Sequence, residues 1–311
     1  MNIHQFQYVL ALAELRHFEK AAEKCFVTQS TLSTMISKLE EELGIPIFDR
    51  KKKPVALTAE GAVLLEQLKI VQREIESLKE ISQEIKGEVK GRLIISVIPT
   101  IAPFLLPLFL HRFALQFPQL QIIVREQTTG EIIRQLKSRD IDIGIVSTPI
   151  NDAEIEEQKL YHEPFVYYQA GKEPPKRIEA HELDLSNLAL LEEGHCMRTQ
   201  IIELCNYHEN QLVNQLNFNF QAGSIDSLLR FVRGNGASTL LPYLSVYDFP
   251  EEEAKHISRF SDPVPFREIG LVVHRHFVRK RILHVLEEEI LKAVKPILPN
   301  IDFSGKRLSP L

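Results

Sequence analysis

Long apolar runs are absent from this 311-residue chain, and that absence is the first constraint on its class. None approaches the roughly 18 residues of a membrane span, and Met1-Asn2-Ile3-His4 lacks the basic-then-apolar opening of a secretory signal, so a cytoplasmic protein is expected. Cysteine is scarce. Three in so long a chain exclude a disulfide-stapled scaffold and fit a reducing compartment, where a disulfide is transient and regulatory rather than structural. Positive charge is not in excess either: the net charge of -5 excludes a chain that is basic all over, so contact with nucleic acid has to come from a local patch. No cofactor fingerprint and no nucleophile-base-orienter set appears, so neither an enzyme nor a cofactor is expected. What is present, 44% hydrophobic and 25% charged residues, is an ordinary globular composition whose length suggests two or three domains.

The local patch lies near the start. Ile3, Phe6, Val9, Leu10, Leu12 and Ala13 follow the spacing of an amphipathic helix. Phe18 to Lys24, with the small pair Ala21-Ala22, reads as a second helix. Thr28 reads as the N-cap of a third, Gln29 to Leu43, with Leu32, Met35, Ile36 and Leu39 on its buried face. This is a helix-turn-helix, whose second helix enters the major groove with its N-terminal residues at base edges. Thr28, Gln29, Ser30, Thr31, Ser33 and Thr34 all hydrogen-bond and suit that task. Arg50, Lys51, Lys52 and Lys53 precede a short strand, Val55 to Leu57, and read as a basic wing near the phosphate backbone. Over residues 1–60, eight Lys and Arg face eight Asp and Glu, so the basicity is positional.

Thr58 caps the next expected helix, with Glu60 in its first turn. Leu64, Leu68, Val71, Ile75, Leu78 and Ile85 recur at heptad spacing, with Ser82 in the missing step, a seam suited to pairing with a second copy. Gly87 and Gly91 read as a hinge. Strand-like and helix-like runs then alternate, which argues for α/β lobes with parallel strands and a cleft between them. The expected strands include Leu93 to Ile98, Glu163 to Ala170, Leu188 to Leu191 and Leu216 to Phe220. Pro99-Thr100 and Gln127 to Thr129 fall at carboxyl ends of strands, where such sheets bind ligands.

Gly194-His195-Cys196-Met197-Arg198, followed by Cys205, holds two of the three cysteines and flanks one with groups able to favour a thiolate. Met197 to Tyr207 reads as a helix. Nine helical residues rise about 13 Å, whereas a disulfide needs Cα atoms about 4.4 to 6.8 Å apart. Two readings stay open: the thiols never bond, or bonding unwinds the segment and turns oxidation into a change of shape. The same length of helix separates the halves of a metal set built from His195, Cys196, Cys205 and His208, so no metal site is expected. Cys25 has apolar neighbours and reads as a core residue without a redox role.

Phe18-x-x-Ala21-Ala22, Thr28-Gln29-Ser30-x-Leu32-Ser33, Leu39-Glu40-x-x-Leu43-Gly44 and Phe48-x-Arg50 resemble the DNA-binding module of the LysR-type transcriptional regulators, and the order of elements resembles that family over essentially the whole chain. Ile98-Pro99-Thr100-x-x-Pro103, Leu191-Glu192-x-Gly194-His195-Cys196-x-Arg198-x-Gln200 with Cys205, and Gly236-x-x-x-Leu240-Leu241-Pro242 before Ile269-Gly270-Leu271-Val272 are similar to the members that sense hydrogen peroxide. The resemblance implies an α/β fold class: a mostly helical winged helix-turn-helix domain at 1–58, a linker helix and hinge at 59–90, a two-lobed periplasmic-binding-protein-like regulatory domain at 91–299, and a tail at 300–311.

It further implies that Cys196 is the peroxidatic thiol and Cys205 the resolving one, in a pocket completed by Thr100, Thr129, His195, Arg198 and Arg267. Taken alone, Thr100 reads as a turn residue and Arg267 as a surface ion-pair partner. The implied partners are promoter DNA, further copies of the chain as a homodimer and homotetramer, RNA polymerase, and thioredoxin- or glutaredoxin-type reductants. Thr199 and Gly130-Glu131 depart from the pattern of the peroxide sensors. A regulator whose cleft binds a small metabolite, with Cys196 incidental, remains the competing expectation.

Overall fold

The computed structural model describes residues 1–87, 89–185, 187–205, 220–301 and 307–310, without the side chains of Gln83 and Cys205. The chain divides into two compact units, Met1–Lys86 and Gly87–Leu311.

In the first unit, α1 (Ile3–Leu15) starts at a capping box in which Asn2 and Gln5 exchange side-chain and backbone hydrogen bonds. α2 (Phe18–Lys24) and α3 (Gln29–Leu43) follow. Leu32, Ile36 and Leu39 of α3 are fully buried with Val9, Leu12, Ala21 and Ala22, while Met35 is half-buried at the margin. Each fully buried aliphatic side chain contributes about 1.5–3 kcal/mol, which fixes the face that α3 turns outward. Gly44 ends α3 in the left-handed region at φ 68°, and Ile45 N–H returns to the Glu40 carbonyl. The Glu40 carboxylate accepts from Ile47 N–H and Phe48 N–H, so the end of α3 holds the antiparallel wing of β1 (Phe48–Asp49) and β2 (Ala56–Leu57).

The long helix α4 (Ala59–Ile85) is capped by Thr58, whose hydroxyl accepts from Gly61 N–H at 2.8 Å. A Cβ on Gly61 would fall 2.1 Å from the Ile47 carbonyl oxygen, so only glycine fits where α4 meets the wing. The heptad seam on this helix is not uniform. Leu64 and Leu68 join the helix-turn-helix core, whereas Leu78 and Ile85 are 66% and 81% exposed.

In the second unit, Gly87 and Gly91 have φ of 70° and 93°, and Arg281 and Arg279 donate to the Gly87, Lys90 and Arg92 carbonyls around them. One sheet follows the order β4-β3-β5-β10-β6-β9-β7, with β8 also on β6. β3 (Gly91–Val97), β4 (Leu120–Glu126) and β5 (Ile143–Thr148) are parallel, joined through α5 (Ala102–Gln116) and α6 (Thr129–Lys137).

The expectation of parallel strands fails at β6 (Ile155–Gln169) and β10 (Phe266–His274), which pair antiparallel to each other. β6 leaves the first lobe for the second and β10 returns, so the two must run in opposite directions. β6 also begins eight residues before the expected strand, at Ile155, because its first half carries the exposed Glu156, Glu157 and Lys159 and shows neither an apolar run nor a strict alternation.

The second lobe contains β7 (Arg177–Ile178), α7 (Cys196–Cys205), α8 (Ile225–Asn235), β8 (Ser238–Pro242), α9 (Glu251–Ala254) and β9 (Ile257–Phe260); α10 (Lys280–Val294) packs on the first lobe. The expected strand Leu188 to Leu191 is not one. Leu188 bridges Ser238 and Leu191 bridges Ala222, two different partners, so no continuous ladder forms. Most of the expected strand Leu216 to Phe220, and the helix end at Tyr207, lie outside the described residues. Two hydrophobic cores result, one per lobe, and β6 contributes to both: Leu160 and Tyr161 to the first, Phe165 to Tyr168 to the second. No helix among the described residues is long and apolar enough to cross a membrane.

Candidate functional site

α7 sits where the two cores meet. Its Met197, Ile201 and Leu204 belong to the second-lobe core, yet Cys196, its first residue, is buried in the first-lobe core. The chain turns into the helix through Gly194 at φ 91°, and Cys196 therefore occupies a helix N-terminus with amide N–H groups unused by the helix.

Burial pushes the Cys196 thiol above its usual range. Against that act, in decreasing order, the Arg267 guanidinium, the Thr129 hydroxyl, and the Met197 and Cys196 backbone N–H groups. Desolvation wins, and the thiol is held protonated beside groups arranged to favour its thiolate.

Arg267 is not a surface ion-pair partner, as its sequence position alone suggests. It is 1% exposed and lies across the β6–β10 ladder from Glu163. Its Nε donates to Glu163 Oε2 at 2.9 Å, Nη1 to Thr100 Oγ1 at 3.0 Å and Nη2 to the Thr100 carbonyl at 3.1 Å. A fully buried guanidinium requires a partner, and Glu163, itself 1% exposed, supplies it while accepting Leu244 N–H at 2.8 Å. Thr100 is thereby held at the end of β3. Thr129, the first residue of α6, is buried, and apart from the Cys196 thiol its Oγ1 has no hydrogen-bond partner.

His195 is buried, its Nε2 3.7 Å from Glu192 Oε1. Arg198 is half-buried and gives Nη1 to the Leu191 carbonyl at 3.1 Å. The side chain of Cys205 and all of His208 lie outside the described residues, and no group of His, Cys, Asp and Glu among the described residues could hold a metal. Cys25 is half-buried against the helix-turn-helix core, and burial raises its thiol too.

Sequence reasoning assigned no role to Glu163, Gln200 or Tyr161. Gln200, four residues after Cys196 and so on the same helix face, is fully buried; its Nε2 donates to Ser147 Oγ at 3.0 Å and its Oε1 has no partner. The Tyr161 hydroxyl is also buried without a partner, and its pKa is raised well above the usual value by burial and by the Glu163 charge. Only the position of Gln200, one turn after Cys196, was a usable signal.

In the first unit, Gln29, Ser30, Thr31 and Thr34 are exposed at the start of α3, and the Thr28 hydroxyl accepts Thr31 N–H at 3.2 Å as the cap. Lys51, Lys52 and Lys53 are exposed on the wing. Arg50 turns back instead. It donates to Ser33 Oγ, Ser37 Oγ and Glu40 Oε2 at 3.2, 2.9 and 2.8 Å, and its guanidinium lies 5.6 Å from the Phe18 ring centroid.

Two family models match this chain: the bacterial regulatory helix-turn-helix protein, lysR family, over residues 3–62, and the LysR substrate binding domain over 86–295. The hydrogen peroxide-inducible genes activator of Haemophilus influenzae is 33% identical over 88% of this chain and 90% of its own length. The DNA-binding transcriptional dual regulator OxyR of Escherichia coli K12 is likewise 33% identical, over 88% and 89%. The regulator EstR of Acinetobacter baylyi is 31% identical over 86% of each chain. Among solved structures, a full-length OxyR cysteine variant from Pseudomonas aeruginosa superposes with a TM-score of 0.74 at 29% identity, covering 94% of this chain and 98% of that one. A hydrogen-peroxide-bound OxyR mutant from Corynebacterium glutamicum gives 0.60 at 25% identity, covering 98% of each.

Proposed function

The chain belongs to the LysR family of bacterial helix-turn-helix regulators, and from that premise we propose that it is a peroxide-sensing transcription activator whose input is the Cys196 thiol. Overall identity does not separate the effector classes, since EstR matches almost as well as the peroxide-inducible activators. The observation that carries the reading is local: a buried thiol at a helix N-terminus, facing a buried guanidinium and a threonine hydroxyl with no other partner.

The Cys196 thiolate attacks one peroxide oxygen, the O–O bond breaks, and the departing oxygen takes up a proton and leaves as water. Cys196 is then a sulfenic acid. Arg267, held by Thr100 and Glu163, stabilises the thiolate and the charge growing on the leaving oxygen, and Thr129 gives the peroxide a hydrogen-bonding partner. The Cys205 thiol attacks the sulfenic sulfur, a second water leaves, and a disulfide joins the two. Two thiols have lost two electrons and one peroxide has become two waters. A dithiol reductant of the thioredoxin or glutaredoxin type returns the electrons by exchange. His195 and Arg198 act by fixing the turn into α7.

Because both cysteines belong to one helix of ten residues, closure has to break that helix. The change passes from the regulatory domain, residues 91–299, to the linker and the DNA-binding domain. There, α3 reads promoter DNA in the major groove, Lys51 to Lys53 contact phosphate, and the heptad seam of α4 pairs two copies, two such pairs forming a tetramer on the promoter with RNA polymerase. The cytoplasm supplies the reducing surroundings that this cycle needs.

The test is mass spectrometry of the full-length protein before and after a small excess of peroxide. A Cys196–Cys205 disulfide is expected in the wild type and none in Cys196→Ser, which should also lose peroxide-induced transcription. Thiols that stay unlinked while a small metabolite alters DNA protection would replace this reading with that of a metabolite-responsive regulator.

A further inference from the structure

We propose that residues 307–310 form a strap that keeps α7 helical, so that this segment sets how readily the two cysteines of α7 are brought together. Within the stretch expected to be a tail, Leu308 is fully buried in the second-lobe core beside Met197, Ile201 and Leu204 of α7. Its N–H donates to the Phe266 carbonyl at 2.9 Å and its carbonyl accepts from Gln200 Nε2 at 3.1 Å. Ser309 N–H donates to Glu203 Oε2 at 3.1 Å, and Arg307 Nη1 lies 3.7 Å from Glu268 Oε1. One side of the segment is thus fastened to β10, through Phe266 and Glu268, and the other to α7, through Gln200 and Glu203.

Both helix attachments lie between Cys196 and Cys205. A helix that spans about 13 Å over nine residues has to come apart there before the cysteines reach disulfide distance. The residues carrying Gln200 and Glu203 then leave their places, and the strap loses its hold along with the apolar seat of Leu308. A segment that binds the helical form and not the unwound one shifts the balance toward the helix by that difference. The holding action stands on the contacts alone; its consequence for oxidation rests on the redox reading proposed above.

Hydrogen exchange of the reduced full-length protein tests it. In Leu308→Gly the amides of residues 198–204 should exchange about tenfold faster or more, with α8 little changed as the reference within the same lobe. Glu203→Ala, which leaves the core intact, should give a smaller, several-fold acceleration in α7. Under peroxide, both variants should close the disulfide faster than the wild type. Wild-type exchange of α7 in both variants overturns the strap. Equal acceleration of α8 in Leu308→Gly would mean that the whole lobe has loosened, and Glu203→Ala then decides alone: unchanged α7 exchange in it overturns the strap, and faster exchange supports it. If α7 loosens but peroxide forms no disulfide in any of the proteins, the redox reading falls and the strap stands.

Discussion

Thr129 separates stability from chemistry more cleanly than any other residue of the site. The buried Thr129 hydroxyl has no partner beyond the Cys196 thiol, and a poorly satisfied buried hydroxyl adds little net stability, so Thr129→Val should hold the urea midpoint while slowing the reaction of Cys196 with peroxide. Loss of one donor at the reacting oxygen predicts a slowing of about tenfold or more, read from the rate of trapping the sulfenic acid with dimedone; an unchanged rate would remove Thr129 from the mechanism. Cys196 itself makes a prediction in pH. Its folded thiol is raised above 9.0, first by burial, so its contribution to stability is complete below that value and is lost as pH climbs through the higher folded value. The urea midpoint of the wild type should therefore fall relative to Cys196→Ser as pH rises above 9, and the peroxide rate should still be rising at pH 9. Equal midpoints in the two proteins across that range would contradict the buried-thiol geometry. Cys196 stands out in the sequence by its flanking groups and Thr129 by its place at a strand end, whereas Arg267 enters by resemblance alone. Nothing in the local sequence around Arg267 shows that it is buried, because its partner Glu163 lies on a different strand and the pairing exists only once β6 and β10 are in register.

At the scale of elements, α1 to α3 are legible in the sequence because apolar spacing marks the first two and the Thr28 cap marks the start of the third; the Asn2 capping box and the left-handed Gly44 add signals that the periodicity does not use. Strands are less legible. Ile155 to His162 belongs to β6 without a strand-like pattern, and Leu188 to Leu191 has the pattern without forming a strand, since the partners that make or deny a ladder are remote in sequence. Within the DNA-binding unit, α3 and the wing predict a division of labour. Gln29→Ala should weaken operator binding by about 1–3 kcal/mol, and Lys52→Ala should lower the slope of log affinity against log salt by about one, both measured by fluorescence anisotropy over a salt series. Arg50→Ala should act differently, lowering the thermal stability of the unit because Arg50 ties Ser33, Ser37 and Glu40 together. A loss of salt slope with unchanged stability in Arg50→Ala would place that residue on DNA instead.

The whole molecule depends on what α4 does with its uncovered half. Leu78 and Ile85 are apolar, exposed and on the seam that the heptad spacing picks out, so the wild type is expected to sediment as a dimer at micromolar protein and Leu78→Glu as a monomer with reduced binding to paired half-sites. A monomeric wild type at that concentration would exclude the seam as the pairing face. By itself the sequence determined the helix-turn-helix, the long helix, the alternation of α and β, and the placing of Cys196 and Cys205 in one helix, because caps, periodicity and nine-residue spacing are local and survive without knowledge of neighbours. Only the tertiary structure decided that β10 returns antiparallel to β6, that Arg267 is buried against Glu163, that Cys196 lies in the core of the lobe opposite to the rest of its helix, and that Leu308 is packed beneath that helix. Each of these is a pairing between residues far apart along the chain, fixed by which apolar faces the two lobes bury and by the need of every buried charge for an opposite one.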